Sequence, residues 1–349
     1  MKLASVEVIP YALPFRDPYV TAAGTLSRRE MVLLRLRDED GVVGLGEAVP
    51  LSLRGGAAMS RVVEDLTALE RWASIGEAGL TTDPDLCPPA RCAALTALLD
   101  LRGRRAHREG AASSAAPAPV RCNATLAAGE PRAVAAEAER WAGDGFSTFK
   151  LKLGAGRDVE QVRAVREALG SGARIRVDAN AAWDVETAKR TLAELEPLDI
   201  ELAEQPVPSI EEAAAVAGST SIPLAADESV ASRAEAEAAA GAFALTGVKL
   251  SKVGGPEAAI EIAEVMPAYV SSALDGPVGI AAAAQVASTL EQGSNGPGIE
   301  LAHGLATQRL FGSTVASVEC EIRDGLLHPP AGPGLGVEID EEALQAHRI

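Results

Sequence analysis

From residue 120 onward, short apolar runs alternate with longer stretches rich in Ala and Glu. Successive runs begin 22 to 31 residues apart, which is enough for one strand, one helix and two loops. The runs begin at Val120, Ser147, Arg174, Ile200, Ile222, Leu245, Ala268 and Ile299. Repeated βα units of this number predict a parallel sheet closed into a (β/α)₈ barrel of the TIM type. An open doubly wound sheet is the alternative, but the first run leads into AAGEPRA, which lacks its GxGxxG turn.

The N-terminal third lacks this alternation and has the pattern of a small α+β unit. Residues 3–13 are β-rich, and residues 31–37 alternate before a turn and a further apolar run, as in a β-hairpin. Small residues and prolines at 110–119 indicate a linker. We therefore predict a modified barrel with an α+β capping domain that the C-terminal tail completes. The predicted boundaries are 1–112 for the cap, 113–316 for the barrel and 317–349 for the returning tail.

Composition narrows the function without defining it. The 349 residues are 47% apolar but only 3% aromatic, and 49 Asp and Glu against 32 Lys and Arg give a net charge of −17. Such a charge repels nucleic acid and anionic membranes. The four cysteines form no CxxC pair, and the sequence shows neither a leader pattern nor an apolar run of membrane-spanning length. We therefore expect a cytoplasmic protein that acts on a small molecule, without nucleic acid or a membrane as partner.

Two of the predicted strands bring lysines to the mouth of the barrel, where the active sites of this fold lie. In STFKLKL, Phe149 and Leu151 share the side that faces the helices, so Lys150 and Lys152 share the side that faces the barrel interior. The sixth run, LTGVKLS, carries Lys249 near its end. Lysines therefore reach the mouth from both sides.

The three runs between these lysines each end in an acid, namely Asp178 in DAN, Glu204 in EQP and Asp227 in DES. Three unpaired carboxylates at one mouth would repel one another, whereas converging oxygen ligands suit Mg²⁺, with Mn²⁺ as the alternative. A divalent ion flanked by lysines suits the removal of a proton next to a carboxylate. The ion stabilises the resulting enediolate, and a neutral lysine serves as the base.

The motifs KLK, DAN, EQP, DES and VKLSKVGG on successive barrel strands resemble the enolase superfamily, and within it the muconate-lactonizing-enzyme subgroup. The resemblance covers essentially the whole chain, including the cap. It implies Mg²⁺ ligands and acid/base lysines, which are Asp178, Glu204 and Asp227 for the metal, and Lys152 and Lys249 for catalysis. It also implies a surrounding set that tunes or supports these groups, which is Lys150, Asn180 and Glu228.

Within the superfamily, the segments 270–288 and 302–311 are most similar to the o-succinylbenzoate synthases of menaquinone biosynthesis. This similarity implies a carbon–oxygen lyase, in which Lys152 removes the α-proton and then assists loss of hydroxide in a syn dehydration, while Lys249 acts electrostatically. Isomerases with the same metal and lysine residues stay open as alternatives: dipeptide epimerases, N-succinylamino-acid racemases and muconate cycloisomerases. Outside this chemistry, the alternatives are a metal-binding barrel without catalysis and a metal-free phosphate-binding barrel.

Residues outside the strand ends are expected to select the substrate. The cap segments 19–26 and 50–56 resemble the two loops that close over such sites, and Arg54 is a candidate for binding a substrate carboxylate. After the seventh run, Ser271, Ser272 and Asp275 stand where dipeptide epimerases usually carry a DxD motif. We expect these four residues to contact a small carboxylate substrate. Acidic enzymes of this type often form homo-oligomers, which is a further expectation.

Overall fold

The computed structural model describes residues 2–21, 24–52, 55–69, 85–111, 116–154, 156–293 and 301–349. An antiparallel sheet opens the chain, in the order Leu3–Thr21 (β1), Gly24–Asp38 (β2) and Val43–Ala48 (β3). Both faces of this sheet are buried. Met31 and Leu33 of β2 face the main core, while the alternate residues Val32, Leu34 and Leu36 face a second core under the cap helices. The cap sheet therefore lies between its own helices and the barrel.

Two helices, Met59–Ala68 (α1) and Pro88–Arg108 (α2), cover the outer face of this sheet. Glycines on β3 allow α2 to approach closely. A Cβ atom on Gly46 would lie 2.0 Å from the Ala93 carbonyl oxygen, and one on Gly44 would lie 2.2 Å from that of Ala97. Because α2 presents small alanines on this side, the helix and strand backbones come almost into contact. This close packing accounts for the small side-chain volume of the strand segment GVVGLGEA.

The barrel follows the short strand Val120–Arg121 (β4). Its seven parallel strands are hydrogen-bonded in chain order. They are Ala124–Leu126 (β5), Thr148–Lys152 (β6), Arg174–Asp178 (β7), Ile200–Glu204 (β8), Leu224–Ala226 (β9), Leu245–Val248 (β10) and Ala268–Val270 (β11). The helices along these strands are Pro131–Gly143 (α3), Asp158–Leu169 (α4), Val185–Leu195 (α5), Ile210–Ala217 (α6), Arg233–Ala239 (α7), Leu250–Val253 (α8), Pro256–Ala263 (α9) and Pro277–Gly293 (α10).

A short extended segment closes the gap between β11 and β5. Gly304 forms a parallel bridge with Ser271, and His303 forms one with Cys122. The predicted eighth run begins at Ile299, which lies outside the described residues, so only its last residues are seen in this position. His303 is fully buried, and its Nδ1 accepts a hydrogen bond from the Val270 N–H at 3.0 Å. The predicted fold, a modified barrel with an α+β cap, is confirmed.

The C-terminal tail contacts both units. Ala316–Val318 (β12) pairs with Glu338–Ile339 (β15), whereas Glu321–Arg323 (β13) and Leu326–His328 (β14) extend a small sheet onto β4. The last helix, Glu341–His347 (α11), approaches the cap, where Glu341 forms an ion pair with Arg35 at 2.6 Å. The predicted division into 1–112, 113–316 and 317–349 stays a prediction. None of the helices in the described ranges is long and apolar enough to cross a membrane.

Candidate active site

Five neighbouring strands present charged side chains at one end of the barrel. In the order of the sheet, these are Lys152 on β6, Asp178 on β7, Glu204 on β8, Asp227 just after β9 and Lys249 just after β10. Lys152 pairs in register with Asp178, and Asp178 with Glu204, so their Cα atoms stand at one level of the sheet. The predicted alternation along KLK and the predicted acids at the strand ends are therefore seen together at one mouth.

On the β6 side, two ammonium groups share one carboxylate oxygen. Lys150 Nζ lies 2.8 Å from Asp178 Oδ2, and Lys152 Nζ lies 2.5 Å from the same atom. Lys150 also reaches Glu204 Oε2 at 2.6 Å. The side chain of Lys150 is 7% exposed and that of Lys152 is 22% exposed, so Lys152 is the one of the two that solvent or substrate can reach.

On the β10 side, Asp227 receives two further lysines. Lys249 Nζ pairs with Asp227 Oδ2, and Lys252 Nζ lies 3.2 Å from Oδ1 and also donates to the backbone carbonyl of Asp227. Lys252 stands in the VKLSKVGG motif, but its position alone did not predict a role. Its contact with the Asp227 backbone shows that it fixes the end of β9 as well as balancing the carboxylate charge.

The pKa values at the mouth reflect burial set against these ion pairs. Burial alone would raise the pKa of Asp178, but the ammonium groups of Lys150 and Lys152 outweigh it and hold that pKa well below its usual range. The pKa of Glu204 is raised, first by burial and then by the charge of Asp178. Burial would lower the pKa of Lys150, but the nearby carboxylates, Asp178 foremost, raise it above its ordinary value. Lys150 therefore stays charged, and its charge stabilises ionised Asp178.

The three buried carboxylates are the predicted ligands of a divalent cation. Within the described residues, no group of three His, Cys, Asp or Glu side chains is arranged to hold a metal ion, and each of the three acids contacts a lysine ammonium group. Glu204 Oε1, however, is buried and has no hydrogen-bond partner in the described part of the chain. A buried, unsatisfied carboxylate oxygen is costly, and oxygen donors of this kind are those that Mg²⁺ prefers. The donor set fits Mg²⁺, and the ligand assignment stays a prediction.

Asn180 lies beside Lys152, and Glu228 lies beside Asn180. Asn180 Oδ1 accepts from Lys152 Nζ at 2.9 Å, and Asn180 Nδ2 donates to Glu228 Oε1 at 3.2 Å. Asn180 has a φ of +47°, in the left-handed region that asparagine tolerates better than most residues. This turn directs its amide back towards the lysine and the strand end.

Gln205 is a site residue whose role the sequence did not reveal, although it stands in the EQP motif. It has a φ of +37°, and its Oε1 accepts from the Asp227 N–H at 2.9 Å and from the Ser229 N–H at 3.2 Å. The Gln205 side chain thus ties the end of β8 to the turn after β9. A glutamine can do this because its oxygen accepts two bonds while its amide donates elsewhere, here to Val207 and Ser229.

Below the mouth, the barrel interior holds a second unpredicted group. The Tyr269 hydroxyl donates to Glu204 Oε2, and the Arg176 guanidinium lies over the Tyr269 ring, 5.2 Å from its centroid. Both side chains are fully buried. Glu204 Oε2 thus has two donors, Lys150 and Tyr269, while Oε1 has none in the described ranges.

The residues predicted to contact substrate differ in their availability. Asp275 accepts from the Ser272 hydroxyl and from the Ala273 N–H, each at 2.7 Å, so Ser272 and Asp275 hold the loop together. The Ser271 hydroxyl is buried and has no hydrogen-bond partner among the described residues. Arg54 lies outside the described residues. Substrate contact by all four residues stays a prediction, and among the three described ones Ser271 has the unpaired hydroxyl.

Family comparisons place this geometry in a known group. Residues 133–343 match the family described as enolase C-terminal domain-like, and residues 3–109 match the N-terminal domain of the mandelate racemase and muconate lactonizing enzyme family. The chain therefore belongs to the enolase superfamily of enzymes, which confirms the resemblance carried by the strand-end motifs.

Relatives within this superfamily have different activities. The chain is 37% identical over 245 residues to the o-succinylbenzoate synthase of Thermobifida fusca, covering 65% of this chain and 72% of that protein. It is 31% identical over 374 residues to muconate cycloisomerase 1 of Pseudomonas putida, covering 97% and 96%. The structure of the L-Ala-D/L-Glu epimerase from Bacillus subtilis superposes with a TM-score of 0.86 at 26% identity, covering 97% of this chain and 99% of that one.

Proposed function

We propose that this protein catalyses the Mg²⁺-dependent removal of the proton α to a substrate carboxylate, through an enediolate. The observation that carries the proposal is the order of groups across five adjacent strands, in which two lysines flank three buried acids. A barrel that only bound a metal would need the acids but would have no use for a lysine on each side. A phosphate-binding barrel would place its anion against three carboxylates, which repel it.

The proposal gives the acids at the mouth a metal-binding role and Lys152 the role of base. Mg²⁺ bound by Asp178, Glu204 and Asp227 would supply positive charge to the substrate carboxylate as the α-carbon loses its proton. Lys152 is the base in this proposal, because it is more exposed than Lys150 and shares Asp178 Oδ2 with it.

We further propose that the reaction is the dehydration that yields o-succinylbenzoate, in the cytoplasm and in menaquinone biosynthesis. Lys152 takes the α-proton, and the electron pair of the C–H bond moves towards the substrate carboxylate to give the enediolate. This electron pair then forms the new double bond to the adjacent carbon as the C–O bond on that carbon breaks. Protonated Lys152 gives its proton to the departing hydroxide, so that water leaves. Because one lysine acts in both steps, the elimination is syn.

In this proposal Lys249 keeps its proton. Its side chain is 9% exposed and pairs with Asp227, so it presents a fixed positive charge on the opposite side of the mouth from Lys152. Such a charge stabilises developing negative charge without moving a proton. The 37% identity to a relative named as o-succinylbenzoate synthase supports the lyase assignment.

Cycloisomerisation of muconate is the second candidate, because the relative named for it matches nearly the whole length of both chains. Epimerisation of dipeptides is a third, supported by the similarity to a dipeptide epimerase structure. An epimerase would need Lys152 and Lys249 each to exchange a proton, one on either face of the substrate. The two lysines thus separate the lyase from the epimerase.

Turnover of a substrate panel tests the proposal. Purified protein with Mg²⁺ would be given the cyclohexadiene precursor of o-succinylbenzoate, cis,cis-muconate, N-succinylamino acids and a set of dipeptides. We expect the highest kcat/KM for the cyclohexadiene precursor and no turnover after chelation. A higher kcat/KM for muconate or for a dipeptide would replace the lyase by that isomerase. Absence of α-proton exchange with every substrate would contradict the proposal altogether.

A further inference from the structure

A carboxylate of the cap reaches across to the barrel loop that follows β11. Glu47, next to the last residue of β3, is buried, and its Oε1 accepts from the Gly276 N–H at 2.6 Å. Its Oε2 accepts from the Tyr11 hydroxyl at 2.7 Å. Glu47 and Gly276 are 229 positions apart in the sequence, so this bond ties the two units together. We call residues 271–276 the post-β11 loop.

The barrel is shaped to accept this carboxylate. A Cβ atom on Gly276 would lie 2.7 Å from Glu47 Oε2, and a Cβ atom on Gly279 would lie 2.7 Å from Glu47 Oε1. Any side chain at either position would push the carboxylate away. Both glycines stand at the start of α10, where free backbone N–H groups favour a negative charge. The Glu47 carboxylate therefore lies in a site at a helix N-terminus whose shape fits it.

A second cap residue, Arg29, is hydrogen-bonded to the same loop. Arg29 is buried, and its Nη2 donates to the Pro50 carbonyl at 2.7 Å and to the Ala273 carbonyl at 3.1 Å. Pro50 begins the cap segment that was predicted to close over the site. Arg29 therefore connects this segment with the post-β11 loop, while Glu47 holds the end of that loop.

The loop itself is held in a strained form. Leu274 has a φ of +68°, a conformation that costs a leucine free energy and persists only where the surroundings enforce it. Asp275 provides part of the restraint through its bonds to Ser272 and Ala273. The loop starts two residues after Tyr269, whose hydroxyl contacts Glu204, so the loop adjoins the mouth.

We propose that Glu47 is a positioning residue, through which the cap fixes the post-β11 loop and holds Ser271 in place against the bound substrate. This inference deepens the proposed function and rests on it for its kinetic consequence. Glu47 does not touch the reacting atoms. It acts through the Gly276 N–H, and its partner Tyr11 keeps the carboxylate aligned.

The test compares Glu47→Ala with Glu47→Gln in the full-length protein with Mg²⁺. A glutamine oxygen can still accept from Gly276, and its amide can donate to the Tyr11 oxygen, so Glu47→Gln retains the contact that Glu47→Ala removes. For Glu47→Ala we expect amide hydrogen exchange in residues 271–276 to quicken about 10-fold, and KM to rise about 10-fold with kcat nearly unchanged. Glu47→Gln should stay close to the wild type in both measurements. Glu7→Ala, which alters an exposed cap residue, is the matched control.

Each outcome decides the proposal. Unchanged exchange in residues 271–276 of Glu47→Ala would overturn it, as would an equal loss of kcat at constant KM in both variants, which would mean that Glu47 acts in the chemistry. If Glu47→Ala does not fold, Tyr11→Phe removes only the hydroxyl that aligns Glu47, and we expect exchange in the loop to quicken about 3-fold. No effect there would count against the proposal. Failure of the wild type to turn over any substrate would reject the proposed function, whereas the exchange data would still decide the role of Glu47.

Discussion

Two regions of this protein bury acidic side chains, and they neutralise them in different ways. At the barrel mouth, each of Asp178, Glu204 and Asp227 contacts a lysine ammonium group. At the contact between cap and barrel, Glu47 accepts from a tyrosine hydroxyl and a backbone N–H. Accordingly the pKa of Asp178 is lowered by its lysines against the effect of burial, whereas burial, and then the charge of Asp275, raises the pKa of Glu47 to about 7.

This contrast matches two different roles for the two regions. In the proposed reaction, the lysine partners at the mouth exchange protons and give way to a metal ion or a substrate. At Glu47 the donors are neutral groups, a tyrosine hydroxyl and the backbone N–H of Gly276 at the start of α10, as the proposed positioning role requires. Substitutions at the mouth should therefore change rates and metal binding, and substitutions at Glu47 should change loop order, substrate binding and stability.

Lys152→Ala should have the largest effect. Without the base, we expect α-proton exchange in deuterated water, followed by NMR, to slow about 10⁴-fold, since positioned acid–base groups contribute up to that factor. Lys189→Ala, which removes a half-buried lysine on α5 away from the mouth, serves as the control and should leave exchange unchanged. A loss below about 10-fold would show that another group removes the proton.

Lys249→Ala tests whether the lysine opposite Lys152 acts through its charge or moves a proton. If this lysine acts only through its charge, we expect dehydration to slow about 10²-fold while α-proton exchange stays within about 10-fold of the wild type. Steady-state dehydration and NMR exchange on the same sample provide the comparison. Equal and complete loss of both would mean that Lys249 moves a proton, as in an epimerase.

Tyr269→Phe tests the orientation of Glu204, the acid that lies between the two lysine-bearing sides of the mouth. Removing the hydroxyl leaves Glu204 Oε2 with Lys150 alone, so the carboxylate is less firmly oriented. Groups that orient a metal ligand typically contribute about 10-fold or more to affinity, so we expect Mg²⁺ binding measured by calorimetry to weaken about 10-fold. Tyr19→Phe, whose ring stacks on Phe15 in the cap, is the control. Unchanged Mg²⁺ affinity in Tyr269→Phe would contradict the orienting role of its hydroxyl.

Much of the fold follows from short-range pattern. The runs beginning at Arg174 and Ile200 coincide with β7 and β8, because buried parallel strands are brief apolar segments with turn residues after them. The strand β1 extends beyond its predicted β-rich part to Thr21, since residues 19–21 pair with residues 24–26 across the hairpin. Proline at position 14 and the polar residues after it conceal this extension. Partner strands supply what local composition lacks.

Some residues of the site could likewise be predicted from short-range pattern, and others could not. Lys152, Asp178 and Glu204 were predictable because strand ends of a closed barrel converge by geometry, whatever the loops do. Tyr269 and Glu47 were not, because each one acts through a partner far away in the sequence, 65 positions for Tyr269 and Glu204. Nothing in the sequence beside Glu47 indicates Gly276, so only the docked arrangement of cap and barrel shows that this acid is buried.

Glu47→Gln should leave turnover nearly unchanged and alter how stability depends on pH. The folded protein holds the Glu47 proton up to about pH 7, whereas the unfolded chain releases it near 4.5. An acid with a raised pKa stabilises the fold at low pH, and this contribution is lost as the pH rises from 4.5 through 7. Each pKa unit corresponds to about 1.4 kcal/mol, so the loss of stability amounts to about 3 kcal/mol. Glutamine does not ionise, so the free energy of unfolding of Glu47→Gln, measured in urea, should gain on the wild type over this range and level off above it. Parallel pH profiles of the two proteins would mean that Glu47 is not buried in the way the contact between cap and barrel requires, and the contrast between the two regions would then be lost.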